Sequence, residues 1–225
     1  MTTLKVFQDR IVAVSFAILT LAVVAGASTE STAAERLVMM EKFSASWCPH
    51  CATASEAIDM LLDSHGDDFI TLDAFSATSG RYATDWGVDR AFNFYSLQSY
   101  PTTVFDGLQG FAGAPNVQAT YDAYRDTIEA RAAAPTDVAI GISAVPLGGN
   151  SYDVTMSAHL DADGDAKTLR LYLVQALDDY GSYDSGSVVP HNTLMQTIES
   201  NYDVALTPGQ TVQFTQTLEL DETSA

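Results

Sequence analysis

Only two cysteines occur in the 225 residues, and both lie in one short stretch, Cys48-Pro49-His50-Cys51. So sparse a set excludes a disulfide-stapled scaffold, which needs several bridges to hold a small core. A zinc centre needs two further ligands, usually a second pair, whereas His65, His159 and His191 are scattered along the chain. No metal and no cofactor is expected. Positive charge is the second scarcity: 10 basic residues stand against 29 acidic ones, a net charge of −19. Such a surface repels phosphate backbones, so no nucleic-acid partner is expected. Anionic membrane surfaces are disfavoured on the same ground. Long apolar runs are scarce too. Ile11 to Val24 is shorter than the roughly 20 residues a spanning helix needs. It follows Lys5 and Arg10 and precedes Ala25-Gly26-Ala27, the pattern of a secretory signal over residues 1–27 with cleavage before Ser28. No cysteine follows the run, so a bacterial lipid anchor has no attachment point, and no transmembrane helix is expected in the mature chain. Residues 28–35 are small and polar and read as a flexible leader.

What remains is rich enough in apolar residues, 47% of the chain, to build a real core in one or two domains. The stretch Phe43-Ser44-Ala45-Ser46-Trp47-Cys48-Pro49-His50-Cys51 precedes a helical pattern. A Cys-x-x-Cys at the mouth of a helix is a redox device. Free N–H groups and the partial positive charge of the helix N-terminus favour a thiolate over a thiol. Cys48 is the expected exposed nucleophile, and Cys51, one turn in, the resolving thiol. His50 adds a second positive group beside Cys48 when protonated, and both effects lower a thiol pKa from about 8.5. The loop closed by the pair is so short that a purely structural disulfide would remove little chain entropy. Export places the pair where disulfides persist.

Around this stretch the pattern is strand, helix, strand. Leu37 to Phe43 suits a buried strand, and Ala54, Ile58, Leu61 and Leu62 fall at helical spacing up to Gly66. Phe69 to Phe75 reads as a second buried strand, giving a parallel βαβ unit with the cysteines at the C-terminal edge of the first strand. Tyr82 to Gln98 reads as a helix with a short approach to Thr102 to Phe105, a strand that turns at Asp106-Gly107. Val117 to Ala134 is a final amphipathic helix.

Residues 36–134 resemble the thioredoxin superfamily, on two separated motifs: Trp47-Cys48-Pro49-His50-Cys51, and Tyr100-Pro101-Thr102 followed by a strand and Asp106-Gly107. The Cys-Pro-His-Cys core looks like that of periplasmic disulfide oxidases of the DsbA type. Trp47 before it is closer to thioredoxin itself and to TlpA-like exported reductases. The resemblance implies that Pro101 is a cis-proline beside the redox pair and that Tyr100 offers its backbone to an extended substrate peptide. Trp47, expected to cover the pair, joins Tyr100 as a substrate-binding candidate. Many members carry a buried carboxylate six residues before the first cysteine. Here that position is Lys42, and Glu41 is the neighbouring carboxylate. Successive strand residues point to opposite faces, so Glu41 as a proton-transfer group competes with a charge pair between Glu41 and Lys42 at a strand edge.

Beyond Pro135 the patterning changes to period two. Val138, Ile140 and Ile142 alternate with small residues, as do Tyr152 to Leu160, Leu169 to Leu173 and Val212 to Leu220 with polar ones. Residues 135–225 read as an immunoglobulin-like β-sandwich. The fold class is thus an α/β thioredoxin-like domain followed by an all-β immunoglobulin-like sandwich. That order resembles bacterial envelope proteins described as outer-membrane proteins. About five strand patterns stand where such a sandwich has about seven, so an open edge or an under-covered apolar face is expected, from an incomplete C-terminus or a strand donated by a partner. Val188 to Tyr202 was a weaker pattern, broken by Asn192, Gln196 and Ser200. Asp161-Ala162-Asp163-Gly164-Asp165 lacks the glycine and glutamate of a calcium loop, with Ala166 and Tyr172 in those places, and reads as a turn. Tyr180 to Tyr183 and His191 read as surface loop.

The expected function is thiol–disulfide exchange at Cys48–Cys51 with protein thiols or disulfides, served by a further redox partner, in the periplasm, at the outer membrane or outside the cell. The rival is a non-catalytic envelope binding protein on a thioredoxin-like scaffold. A Cys48 sulfur exposed beside Pro101 favours the first; a covered one favours the second.

Overall fold

The computed structural model describes residues 36–177, 181–184 and 190–220, with no account of the side chains of residues 195–202. The signal and leader segments, Tyr180 and residues 221–225 lie outside the described residues. The first half runs β1 (Val38–Ser44), α1 (Pro49–His65), β2 (Phe69–Phe75), α2 (Asp85–Asp89), β3 (Thr102–Phe105), β4 (Gln109–Ala112) and α3 (Val117–Ala132). Five strands follow: β5 (Val138–Gly148), β6 (Ser151–Leu160), β7 (Lys167–Leu177), β8 (Thr193–Leu206) and β9 (Thr211–Glu219).

β1 is buried along almost its whole length, as a central strand covered on both faces must be. It pairs in parallel with β2, which sets Lys42 opposite Asp73, and antiparallel with β3. Met40 and Val38 face α1 and α3, where they pack with Ile58, Leu61, Tyr124 and Ile128. Phe43 faces the other way, into a cluster with Leu72, Ala91 and Val104. The helix expected over Tyr82 to Gln98 is shorter: α2 has five residues and runs into a π-helical turn over Arg90–Phe94. At the end of α1, a Cβ on Gly66 would stand 2.6 Å from the Leu62 carbonyl oxygen, so the chain can leave the helix here only without a side chain. No helix among the described residues is long and apolar enough to cross a membrane.

The two halves share a sheet. β8 joins the free edge of β2 in parallel through Asp73 and Thr193, and the Asp73 N–H donates to the Asn192 carbonyl at 3.2 Å. The large sheet therefore has the order β4-β3-β1-β2-β8-β7, and a smaller one the order β5-β6-β9. The molecule is a mixed α/β fold with one large and one small sheet. The β7–β8 ribbon packs on the small sheet through Leu171, Leu173, Val204 and Leu206, against Met156, Ala158 and Leu160. β8 is the strand hidden in Val188 to Tyr202. Its register against β7 shifts twice, between Leu171 and Leu173 and between Gln175 and Ala176, and each shift resets the period-two pattern. The expected under-covered face is present on β5. Ile140 and Ile142, on the same face as Val138 and Ala144, are 68% and 66% exposed, and β5 is an edge strand.

Candidate redox site

Cys48 is the N-cap of α1. Its backbone is extended (φ −88°, ψ 110°), its Sγ accepts from the Cys51 N–H at 3.2 Å, and Pro49 follows at the first helical position, where a missing N–H costs nothing. The first turn contains no carboxylate, so the positive end of the helix acts on Cys48 undiluted. Cys48 and Cys51 form a disulfide. His50 Nδ1 lies 3.2 Å from the Ala114 carbonyl; a carbonyl only accepts, so this nitrogen carries the proton, and the ring is held at the helix mouth. Tyr100–Pro101 is cis, as the resemblance implied.

Two positions differ from expectation. Cys48, expected to be exposed, is only 5% exposed. Trp47, expected to cover the pair, is instead 50% exposed and stands edge-on to Tyr100 at 6.0 Å. Tyr183, which had read as surface, is 2% exposed and packs in one buried cluster with Ala45, Cys48, Cys51, Phe75 and Ala77. Its segment is tied to the cysteine motif from outside. The Asp184 N–H donates to the Ser46 carbonyl at 2.7 Å, and Arg81 Nη2 reaches Asp184 Oδ1 at 2.6 Å. His191 pairs with Asp59 of α1, Nε2 to Oδ1, at 2.7 Å.

Beneath the pair lies a buried polar network. Lys42 Nζ is 2.6 Å from Asp73 Oδ2 and 2.6 Å from the Tyr183 hydroxyl, and it also donates to Ser55 Oγ. The Tyr183 hydroxyl donates to Asp73 Oδ2 at 2.8 Å, and it stands 3.1 Å from Ser55 Oγ and 3.3 Å from Ser44 Oγ. Ser55 is one turn beyond Cys51 on the same face of α1, which puts the network directly behind the resolving cysteine. Burial opposes the charge of Lys42, yet Asp73 and Tyr183 hold its pKa above the ordinary lysine value. Burial, then the charge of Asp73, pushes the Tyr183 phenol up to about 12. Asp73 Oδ1 is buried without a hydrogen-bond partner.

Glu41 points the other way. It takes two hydrogen bonds from Arg90, through Nε and, at 2.9 Å, Nη2, and a third from the Tyr95 hydroxyl at 2.5 Å. Arg90 is sandwiched by aromatic rings, with Trp86 at 4.9 Å and Phe94 at 4.8 Å. The expected pairing of Glu41 with Lys42 does not occur; each has its own partner on its own face of β1. The carboxylate behind the cysteines comes from β2 as Asp73. The parallel register of β1 and β2 creates that pairing, and neither strand read alone shows it.

No protein-family description matches the sequence, and no curated protein matches it. Solved structures do. HBP35 of Porphyromonas gingivalis superposes with a TM-score of 0.58 at 11% identity, over 84% of this chain. The match spans 65% of the HBP35 chain. Protein AGR_C_4864 from Agrobacterium tumefaciens gives a TM-score of 0.50 at 15% identity, covering 79% of this chain and 77% of its own. At such identities the likeness is one of fold.

Proposed function

We propose that this chain is an exported thiol–disulfide oxidoreductase of thioredoxin-like type, with residues 36–134 as the redox half and residues 135–225 as a half of immunoglobulin-like β-sandwich type that shares its large sheet. The observation that carries this reading is the Cys48–Cys51 disulfide at the N-cap of α1. A substrate thiolate attacks Cys48 Sγ, the Cys48–Cys51 bond breaks, and its electron pair leaves on Cys51, which takes up a proton. A second substrate thiolate then attacks the substrate sulfur of the mixed disulfide, and Cys48 leaves as a thiolate stabilised by the helix terminus. Two electrons pass from the substrate sulfurs to the cysteine pair, and the reverse sequence reduces a substrate. Trp47 and Tyr100 offer an aromatic surface beside the pair for an extended peptide, with Phe92 adding a third ring 6.4 Å from Tyr100.

The test is a Cys51→Ser variant, which retains Cys48 and cannot release a mixed disulfide. Captured protein partners that a reductant frees support exchange. A variant that captures nothing, in a wild-type chain whose pair also fails to equilibrate with glutathione, removes this reading.

The second reading, a non-catalytic envelope binding protein, is favoured by the burial of Cys48 in the cluster that includes Tyr183. It requires a disulfide that stays closed in contact with thiols, which the same glutathione measurement reports.

A further inference from the structure

We propose that Tyr183 is a positioning residue of the Cys48–Cys51 centre, supplied by the segment that joins β7 to β8, so that the β-rich half of the chain completes the redox site. Tyr183 has this role only if the pair is redox-active, as proposed above. Three independent observations converge on it. Its ring packs in the buried cluster that holds both cysteines. Its hydroxyl receives from Lys42 and donates to Asp73, bridging the ion pair of β1 and β2. Its neighbour Asp184 is bonded to Ser46, two residues before Cys48, and to Arg81.

The chemistry follows from where charge develops. Opening of the disulfide places negative charge in the buried cluster, transiently on Cys51 sulfur and, in the reduced form, on the Cys48 thiolate. The charged and polar groups that Tyr183 links to that cluster are Lys42 on β1, Asp73 on β2 and Ser55 on α1, one turn beyond Cys51; Tyr124 of α3 also feels the Lys42 charge. Lys42 favours the new thiolate and Asp73 opposes it. The Tyr183 hydroxyl, by donating to Asp73, draws off part of the opposing charge. In a low-dielectric site such a bond is strengthened, and its loss is felt by the whole network. Removing the hydroxyl therefore disfavours the reduced form.

The experiment uses the full chain with its cysteines intact, in the wild type and in Tyr183→Phe, which keeps the ring and deletes the hydroxyl. The wild type is first equilibrated with glutathione; a pair that does not exchange disposes of the oxidoreductase reading before Tyr183 is examined. In an exchanging protein, the equilibrium constant for reduction is expected to fall at least fivefold in Tyr183→Phe, about 20 mV toward a more reducing potential. In an Asp73→Asn background the same change is expected to have a smaller effect, because the charge that the hydroxyl shields is gone. A Tyr183→Phe chain with the wild-type constant and native circular dichroism overturns the proposal. So does an effect of equal size in both backgrounds, which would mark Tyr183 as packing only. Asp184→Pro deletes the N–H bonded to Ser46 and the carboxylate held by Arg81, which loosens the same segment without touching the network and keeps the test open if Tyr183→Phe does not fold. Its disulfide is expected to be reduced by dithiothreitol several-fold faster than in the wild type, and an unchanged rate counts against the proposal.

Discussion

Lys42 and Asp73 face each other across β1 and β2, Nζ to Oδ2 at 2.6 Å, with both side chains 1% exposed. An ion pair so completely withdrawn from water is held by its hydrogen-bond partners as much as by its own attraction. Lys42→Met leaves the Asp73 carboxylate buried and unpaired. The expected loss is roughly 3–5 kcal/mol of unfolding free energy in urea titration. A Lys42→Met/Asp73→Leu double variant, which removes both charges, is expected to recover most of it. A double variant no more stable than the single one would show that the network matters beyond charge pairing.

Tyr183 makes stability depend on alkaline pH. Its phenol is pushed from 10 to about 12 in the folded chain, so the native state holds a proton that the unfolded state releases first. The contribution is fully present below pH 10 and is lost as pH rises through 12. Each such proton gives a slope of about 1.4 kcal/mol per pH unit. Lys42, raised as well, adds loss in the upper part of the window. Denaturation between pH 10 and 12 is expected to show a slope in Tyr183→Phe that is shallower by up to one proton. Parallel curves for the two proteins would contradict it.

Arg90 is the anchor of the short helix α2. It grips Glu41 with two nitrogens, meets Tyr95 at 3.1 Å and lies between Trp86 and Phe94. Lysine keeps the charge but loses the planar fork and the ring stacking. Arg90→Lys is expected to lower stability by about 2 kcal/mol, from the lost charged hydrogen bonds at Glu41. The cysteine side of β1 should be untouched, so the glutathione equilibrium is expected to stay within twofold of the wild type.

His50 sits exposed at the mouth of α1, one ring nitrogen on Ala114. Replacing it by proline removes a ring that, when protonated, favours the Cys48 thiolate. The reduced form loses stability, so His50→Pro is expected to make the pair more reducing. An unchanged reduction potential in that variant removes His50 from the account.

Much of the first half was legible in the sequence because its signals are local. Cys48 before Pro49 marks a helix start, Asp106-Gly107 a turn, and Leu37 to Phe43 a buried strand. Tyr100-Pro101 pointed to a cis bond through resemblance, and the bond is cis. What stayed hidden depends on pairing between distant segments. Asp73 looks like one polar residue inside an apolar strand until β1 is laid beside it and places Lys42 opposite. Tyr183 lies among Gly181, Ser182 and Asp184, a composition that signals surface. Its burial follows from β8 docking on β2, and β8 was obscured by the shifts in its own register. A polar residue within an otherwise apolar central strand, as at Lys42 and Asp73, was the one available sign that a buried partner existed.

The shared strand β8 also sets an order of events. β1, α1 and β2 are contiguous in the chain, whereas Thr193 must return across more than half of the described sequence to meet Asp73. Contacts of that span form late, since the chain ordering they require comes before the contact rewards it. Synthesis begins at the N-terminus, so α1 and its cysteines exist while the segment bearing Tyr183 has yet to be made. During that interval the two thiols lack the residue that later packs in their buried cluster, and in the finished fold Cys48 is only 5% exposed. The rate at which a new chain acquires its disulfide then depends on when its sheet closes, and a circularly permuted chain that delivers β8 first should acquire it more slowly than the natural order does.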